Sequence, residues 1–363
     1  MRIFFASPKA AHSWAYSGRI WHRNLADALR DLGHEVIFFR YDLDHYVRNM
    51  WSPEFVSKYR PCLENELRRQ VEKASKARQL DMIFCYFWSA CCRSALIEEL
   101  KEDGPVLVNW YCNAAHQFDL VREIAPAFDW CLVPERARLE DYRRIGARPI
   151  YCQEAANPKF YRSYDVKKLY DVTFVGSRYG DRPQWLQGVR REGIDVRIWG
   201  SGWASQKPTW RMRLGRWRRK MLGRPLPPKE EQPDSWPLGV ANSPLPDKSM
   251  VKLFSQSRIN LGLSTCGDTQ LEKRIIQVRL RDFEIPMSGG FYITEHSEEL
   301  TEFFRPGEEV ITYTDLKDLV DKCRYYLAHE DERERIRVAA YQRAITEHTW
   351  QARLSRAFAE MGL

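Results

Sequence analysis

The chain has 363 residues, of which 44% are apolar and 13% aromatic, and its formal net charge is +8. A chain of this length favours two domains over a single core, and its apolar content excludes a disordered protein. No run of 18 apolar residues occurs, so no membrane-spanning helix is predicted. The nine cysteines lack any paired CxxC spacing, which predicts reduced thiols in a cytoplasmic protein and no metal site.

The first half of the chain alternates predicted strands with predicted helices. An apolar strand at 3–6 is followed by leucines at helical spacing, by Gly33 at the helix end and by a second strand at 35–39. Further strands are predicted at 82–87, 106–110 and 130–133. This order indicates an α/β domain with a doubly wound sheet.

The second half repeats the pattern of the first. A strand at 171–175, a helix ending at Gly193 and a strand at 195–199 open it, and strands at 259–263 and 291–294 follow. We therefore predict an N-terminal domain at 1–162, a second domain at 163–345 with an insert at 204–232, and a C-terminal helix at 346–363 that returns to the first domain. The whole of 332–361 is expected to be helical.

The insert carries the excess positive charge. Residues 207–224 hold eight Lys or Arg and no acid, so the rest of the chain is neutral. Apolar residues recur every three or four positions from Trp210 to Met221, which predicts a basic amphipathic helix suited to an anionic membrane surface. A lid or a packing helix with a solvated basic face fits the pattern equally. Nucleic acid is not the expected partner, because such binders spread positive charge along a groove.

A glycine-containing loop follows the first strand of the second domain. Ligands of open α/β sheets bind beyond the carboxyl ends of the strands, and arginines there can pair with a diphosphate. The candidate donor-binding residues of this region are Gly176, Ser177, Arg178, Gly180 and Gly202, with Arg182 as a candidate catalytic residue. An ordinary turn with surface arginines is the alternative.

The segment 281–295 combines a charged pair, an apolar helical turn, two glycines and a short strand. Glu284 is placed to accept hydrogen bonds from sugar hydroxyls, and paired glycines let the backbone approach a ligand. The candidate donor-binding residues here are Lys273, Arg281, Glu284, Gly289 and Gly290. A surface ion pair between Arg281 and Glu284 is the alternative.

The first domain is expected to supply the acceptor side of a cleft. Gly18, Trp21 and His22 follow its first strand, and Asn113 and His116 follow the strand that ends at Trp110. Groups at strand ends lie at the crevice, so Asn113 and His116 are candidate catalytic residues. The bland alternative for both histidines is a place on a helix surface.

Several motifs occur in a fixed order along nearly the whole chain. They are NWY at 109–111, IAPAFD at 124–129, DVTFVGS at 171–177, RDFEI at 281–285 with Gly289, FRPGEEV at 304–310, YYLAH at 325–329 and HTWQAR at 348–353. With these motifs the chain resembles the CgeB/YkvP-like glycosyltransferases, relatives of the group 1 enzymes.

The resemblance implies the GT-B fold, with two Rossmann-like domains facing a central cleft. It implies a nucleotide sugar as co-substrate, no separate cofactor, and a glycan, lipid-linked or protein acceptor, as in polysaccharide biosynthesis. The family Glu at the place of Glu284 holds the donor ribose, and the glycine pair abuts the diphosphate. The family acid eight positions earlier is Ile276 here, which implies relocation of that acid to Asp282 or Glu272. Many members have Asp where Asn113 stands.

These observations predict a metal-independent and retaining transferase. No DxD triplet occurs, and arginines with helix N–H groups can stabilise a leaving diphosphate. Retention rests on analogy alone. The competing hypothesis is a catalytically silent protein of the same fold that binds sugar nucleotides.

Overall fold

The computed structural model describes residues 1–7, 20–43, 46, 49, 51–102, 104–203, 221, 236–266 and 275–363. The predictions for Gly18 and Lys273, and for the basic insert apart from Met221, lie outside these residues. The strands are β1 (Arg2–Ala6), β2 (Glu35–Phe38), β3 (Met82–Cys85), β4 (Val106–Trp110), β5 (Trp130–Val133), β6 (Pro149–Tyr151), β7 (Tyr170–Val175), β8 (Val196–Trp199), β9 (Ala241–Asn242), β10 (Ser257–Leu261), β11 (Thr265–Cys266), β12 (Ile275–Ile276), β13 (Tyr292–Glu295) and β14 (Ile311–Tyr313). The α-helices are α1 (Asp27–Asp31, after a π turn at His22–Ala26), α2 (Pro53–Ala77), α3 (Ser94–Glu102), α4 (Ala114–Gln117), α5 (Leu139–Arg144), α6 (Arg182–Arg191), α7 (Asp247–Gln256), α8 (Leu280–Met287), α9 (Glu298–Thr301), α10 (Leu316–Ala328), α11 (Glu330–Glu347) and α12 (Trp350–Met361).

The first sheet is parallel and has the strand order β2-β1-β3-β4-β5-β6. Its central strands β1, β3 and β4 are apolar along almost their whole length and buried. Such continuous apolar strands belong in a parallel sheet that helices cover on both faces. The chain leaves β1 for β2 on one side and β3 on the other, so the sheet reverses its winding between β1 and β3.

The second sheet is built by the same rule. Its order is β14-β13-β10-β7-β8-β9, again with all pairs parallel. The chain runs from β7 to β9 on one side and continues with β10 on the other. The winding therefore reverses between β7 and β10, which is where an open α/β sheet forms a crevice for a ligand.

The C-terminal segment crosses from the second domain to the first, as predicted. The expected single helical segment is two helices, because the chain turns at His348 and Thr349. The Thr349 side chain accepts a hydrogen bond from the Ala352 N–H and begins α12. The apolar side of α12 lies in the core of the first sheet, through Trp350, Leu354, Ala357 and Phe358.

The segment around Ala156 also passes between the two domains, beside the C-terminal crossing. The Ala156 N–H donates to the His348 carbonyl at 3.2 Å, and the Trp350 N–H donates to the Ala156 carbonyl at 3.2 Å. The two crossings therefore support each other. The boundaries at 162/163 and 345/346 stay predictions. None of the helices within the described residues is both long enough and apolar enough to cross a membrane.

The packing of α12 gives a test of the crossing. Leu354→Ala removes a fully buried side chain from the first-domain core and is expected to lower the free energy of unfolding by about 2–5 kcal/mol. Ser355→Ala, at the exposed neighbouring position, is the control and should change stability little. Urea denaturation of both variants measures the difference, and equal stabilities would contradict the docking of α12.

Candidate functional site

A cavity of about 470 Å³ lies between the two sheets, at the carboxyl ends of their strands. Residues after β7, β8 and β10 form one wall, together with the start of α8. Residues after β3, β4 and β6 form the other wall, together with the segment that precedes α1. Both domains therefore contribute to one site, as predicted for a cleft between Rossmann-like units.

The loops after β7 and β8 form the base of the second-domain wall. Gly176 and Ser177 line the cavity, as does Gly200. The Gly176 N–H donates to the Trp199 carbonyl at 2.9 Å, which brings the two loops together. A Cβ atom on Gly200 would lie 1.9 Å from the Gly176 carbonyl oxygen, and Gly200 has a φ of +153°. Only glycine fits this approach of two backbones.

The other candidates of this region lie behind the cavity wall. The Arg178 N–H donates to the Ser201 carbonyl at 2.8 Å, while Gly180 and Gly202 shape turns with φ of +56° and +81°. The cavity lining does not include these three residues. The structure therefore gives them a role in holding the loops, where the sequence predicted donor contacts.

Arg182 lines the cavity but is committed to the protein backbone. Its two terminal nitrogens donate to the carbonyls of Ser177 at 2.9 Å and Leu263 at 3.0 Å. The guanidinium lies 3.9 Å from the ring of Tyr179, and burial lowers its pKa to about 10. Arg182 thus fastens the loops after β7 and β10 to each other. A catalytic role for Arg182 that pairs with a diphosphate stays a prediction.

Two other arginines give the cavity its positive wall. Arg281 and Arg279 both line it, at the start of α8. The Arg281 Nε donates to the Val175 carbonyl at 3.2 Å, and Arg279 donates to the carbonyls of Ser264 and Thr265 at 3.3 and 3.0 Å. The first residue of α8, Leu280, also reaches the cavity. Guanidinium groups beside the N-terminus of a helix favour a bound anion.

Glu284 lies behind Arg281 and outside the cavity lining. Its side chain is fully buried and forms an ion pair with the Arg281 guanidinium. The surface ion pair considered as an alternative is therefore a buried pair beside the site. In this arrangement Glu284 acts on the cavity through Arg281, and direct contact with a donor ribose stays a prediction.

The paired glycines serve packing. A Cβ atom on Gly289 would lie 2.3 Å from the Ser163 hydroxyl, and one on Gly290 would lie 2.8 Å from the Asn260 amide nitrogen. Neither glycine lines the cavity. The close neighbours of the two glycines are protein side chains, and the expected approach to a diphosphate stays a prediction.

Asp282, one proposed place for the relocated acid, caps α8. It accepts hydrogen bonds from the Arg279 N–H at 2.6 Å and the Tyr292 hydroxyl at 2.7 Å. Burial raises its pKa to about 6. Asp282 does not line the cavity, and the other proposed place, Glu272, lies outside the described residues.

The first-domain wall is mostly aromatic. Trp21, Tyr86, Trp88 and Tyr111 line it, with Asn113 beside them. The ring of Trp21 stacks on Tyr86 with centroids 5.8 Å apart. The Trp88 indole N–H is buried and lacks a hydrogen-bond partner within the described part of the chain. This wall offers apolar surface and a buried donor, and it includes two of the predicted residues, Trp21 and Asn113.

The two histidines lie away from the cavity lining. His22 stacks on Phe38 with centroids 5.0 Å apart and meets Phe5 edge to face, and its expected acceptor contact stays a prediction. His116 is partly buried, and burial with the charge of Arg279 lowers its pKa, which keeps the imidazole neutral at pH 7. The structure does not bring His116 to the cavity surface, and a catalytic role for it stays a prediction.

Two buried carboxyl groups at the domain interface were not found from the sequence. Glu135 accepts hydrogen bonds from the Gln277 amide at 2.9 Å and from the Ala115 N–H at 3.2 Å. Glu154 lines the cavity. Burial raises the pKa of Glu135 to about 7 and that of Glu154 to about 8. No motif identifies either residue. Glu135 follows the predicted strand at 130–133, and Glu154 follows β6, which was not predicted.

Arg279 was also missed, while Gly200 was predicted only as part of the glycine-containing run at 200–203; for both residues the sequence carried a signal. Arg279 stands directly before α8, where a side chain at the helix start faces a crevice. Gly200 follows a predicted strand, as Gly176 does, and such glycines indicate close backbone contact. Within the described residues, no group of three or more His, Cys, Asp or Glu side chains is arranged to hold a metal ion.

Comparison with known proteins defines the class of this fold. The structure is similar to sucrose-phosphate synthase from Thermosynechococcus elongatus, with a TM-score of 0.61 and 12% identity over 99% of both chains. It is similar to Anabaena Alr3699/HepE in complex with UDP and glucose, with a TM-score of 0.61 and 13% identity over all of both chains. A putative UDP-N-acetylglucosamine 2-epimerase from Listeria monocytogenes also matches, with a TM-score of 0.56 and 11% identity over 99% of this chain and 95% of that one. The predicted GT-B fold is confirmed.

A family model matches the second half of the chain. Residues 182–359 match the family described as glycosyl transferase-like, from α6 to near the end of α12. This part of the chain, 178 of its 363 residues, is therefore similar to that family. No curated protein matches the sequence significantly. The narrower CgeB/YkvP-like relationship stays a prediction.

The raised pKa of Glu135 predicts a pH-dependent stability. The folded protein binds this proton more tightly than the unfolded chain, so the stabilisation is present below about pH 4.5 and is lost as pH rises through about 7. Glu135→Gln removes the titration. Between pH 5 and pH 8, the free energy of unfolding of this variant should rise relative to that of the wild type by about 3 kcal/mol.

Denaturation at several pH values measures this gain. Glu140→Gln, at an exposed position of α5, is the matched control and should follow the wild-type profile. Parallel profiles for Glu135→Gln and the wild type would show that Glu135 is ionised in the folded protein.

Proposed function

We propose that this protein is a glycosyltransferase that moves a sugar from a nucleotide-sugar donor to a glycan acceptor. One observation carries the proposal: a single interdomain cavity has a positive wall on the glycosyl transferase-like domain and an aromatic wall on the other domain. A donor with a charged diphosphate and an acceptor with apolar ring faces fit the two walls in turn.

The donor half of the proposal rests on the charges of the second-domain wall. Arg279 and Arg281 stand at the start of α8, and the first residue of that helix, Leu280, also lines the cavity. The fold relative HepE was solved with UDP and glucose, which makes UDP the first nucleotide to test. The buried carboxylate of Glu284 holds Arg281 in position for this task.

The same wall explains how transfer would be helped. An acceptor hydroxyl oxygen forms a bond to the anomeric carbon, and the bond from that carbon to the diphosphate oxygen breaks. The diphosphate leaves with the electron pair and takes up the proton of the hydroxyl group. Arg279 and Arg281 stabilise the negative charge that develops on it, and a site fixed in advance does this without reorganisation. Independence of metal and retention of anomeric configuration are parts of the proposal that rest on the sequence.

Location and acceptor type are proposed from the sequence as well. Residues 207–224 suit attachment to an anionic membrane surface at the cytoplasmic face, which would favour a lipid-linked acceptor or a surface polysaccharide. Retention on vesicles containing anionic lipid, compared with a variant lacking 204–232, tests this part independently of the donor site.

Two other functions share this fold. A silent sugar-nucleotide-binding protein would bind the donor without turnover. The similarity to the Listeria protein makes isomerisation of a UDP-sugar the other alternative. Release of nucleoside diphosphate separates transfer from both. Nuclear magnetic resonance of the remaining donor separates an isomerised sugar from an unchanged one.

A donor screen is the direct experiment. UDP-, GDP-, dTDP- and CMP-sugars are each added to the protein, and thermal unfolding and nucleotide release are recorded. We expect one nucleoside diphosphate to raise stability by about 2.7 kcal/mol at 100 times its Kd, and its sugar conjugate to be consumed when a glycan acceptor is present. Binding without consumption by any of the acceptors would favour the silent protein, and no binding at all would reject the donor site.

Arg281 provides the mutational test of the positive wall. Arg281→Gln combined with Glu284→Gln removes the cation without leaving a buried carboxylate unpaired. Affinity for UDP should fall about tenfold or more, because a charge-assisted contact to phosphate is lost. Calorimetric titration gives the affinity.

The matched control for this variant is Arg258→Gln combined with Asp171→Asn. That pair lies at the opposite end of β10 and β7, with 2.8 Å between its charged atoms. The control should bind UDP like the wild type. Unchanged affinity in the Arg281 and Glu284 double variant would place the diphosphate elsewhere.

A further inference from the structure

Glu154 is the acidic side chain that the first domain brings to the cavity wall. The residue follows β6 on the chain that crosses between the domains, and only 7% of its surface is exposed. Its backbone is held by a hydrogen bond from the Glu154 N–H to the Gln153 side chain at 2.8 Å. The side chain therefore has a fixed place in the crevice.

The carboxyl group of Glu154 reaches the positive wall of the other domain. It lines the same cavity as Leu280, the first residue of α8, and Arg279, and both the Leu280 N–H and the Arg279 charge act on it. Arg279, Leu280 and Arg281 are the groups that the proposed function assigns to the diphosphate. Glu154 and the diphosphate would thus share one end of α8.

Two negative groups at this place would repel each other strongly, because the site is buried. Displacement of Glu154 is opposed by its burial and by the bond that holds its backbone N–H to Gln153. A proton on Glu154 removes the conflict, since a neutral carboxyl group can donate a hydrogen bond to a phosphate oxygen.

We propose that Glu154 carries a proton when the donor diphosphate binds, and that it donates that hydrogen to the diphosphate. This inference rests on the proposed function. It makes Glu154 a positioning residue that admits the donor only in its neutral form. The acid that is missing from the second domain is then not replaced by another negative charge, because Glu154 is neutral.

The surrounding groups support this state. Burial raises the pKa of Glu154 to about 8, and the nearby carboxyl groups of Glu135 and Asp282 raise it too, while Arg279 lowers it. Cys112 and Tyr86 face Glu154 from the ends of β4 and β3, and burial raises the pKa of both side chains. His116 stays neutral over the same range. Glu135 and Glu154 are therefore the facing groups that titrate between pH 7 and pH 9.

The test is calorimetric titration of UDP, or of the nucleoside diphosphate that binds most tightly in the donor screen, at pH 7, 8 and 9 and constant ionic strength. The last phosphate proton has a pKa of about 6, so the charge of the ligand is constant in this range. Wild-type affinity should fall about tenfold from pH 7 to pH 9, in step with the neutral fraction of Glu154. Glu154→Gln imitates the neutral acid and should change less than twofold.

Glu135→Gln is the matched control, because Glu135 is a buried interface acid with a raised pKa outside the cavity lining. It should keep a fall in affinity of the wild-type size, but at a lower pH, because the Glu135 carboxyl group raises the pKa of Glu154. Titrations at pH 8.5 in two buffers of different ionisation enthalpy should show proton uptake by the wild type and none by Glu154→Gln. Should Glu154→Gln fail to fold, the wild-type proton uptake decides.

The outcomes separate the two proposals. UDP binding with the same pH slope in Glu154→Gln and the wild type, or without proton uptake by the wild type, overturns the inference and leaves the proposed donor site standing. Absence of binding by every nucleoside diphosphate at every pH overturns both. A slope that disappears in Glu135→Gln assigns the proton to Glu135 and also overturns the inference.

Discussion

The parallel direction of the strands places every carboxyl end of a sheet at one edge, and the two sheets of this protein meet at those edges. Each sheet reverses its winding between two adjacent strands, β1 and β3 in the first and β7 and β10 in the second. At such a reversal the flanking helices diverge and leave a crevice. The ends of β7 and β10 line the cavity because the topology leaves space there. The backbone therefore sets the position of the cavity, and the side chains set its chemistry.

The positive wall of the cavity depends on backbone carbonyls at the same strand ends. Arg281 donates to Val175 at the end of β7, while Arg279 donates to Ser264 and Thr265 after β10. The Met250 sulfur and the Glu284 carboxylate also contact the Arg281 guanidinium, so both arginines are fixed at the cavity wall. Arg182 differs because it fastens two loops with both terminal nitrogens. Sites fixed in this way lose little entropy on binding.

The sequence predicted the fold well where the signal was local. Strands β4 and β5 were predicted to the residue, because continuous apolar runs with clear ends identify buried parallel strands. The short strands β6, β9 and β14 were missed. Their two or three residues are too few for any periodicity, and only pairing with a longer neighbour makes them strands.

The candidate site was harder to predict, for a geometric reason. Helical spacing shows that Arg281 and Glu284 share a side of α8, but it does not show which of the two reaches the cavity. Arg281 does, and Glu284 lies behind it. Paired glycines carry the same ambiguity, since they allow close approach to a ligand or to protein, and Ser163 and Asn260 occupy the space here. The role of Glu154 could not be predicted from the sequence, because it depends on Leu280. Leu280 lies 126 positions later in the sequence and belongs to the other domain.

The relative position of the domains decides whether Glu154 and α8 meet at all, so the contacts that set it matter for the chemistry. Arg136 and Glu302 join the domains at the surface, where an ion pair contributes about 0–1 kcal/mol. Buried bonds are stronger constraints, because a polar group that loses its partner there costs about 1–3 kcal/mol. Gln277 of the second domain donates to Glu135 of the first at 2.9 Å and to the Cys112 carbonyl at 3.2 Å. This buried amide lies two residues before Arg279. It therefore links the contact between the domains to the placement of Arg279 at the cavity wall.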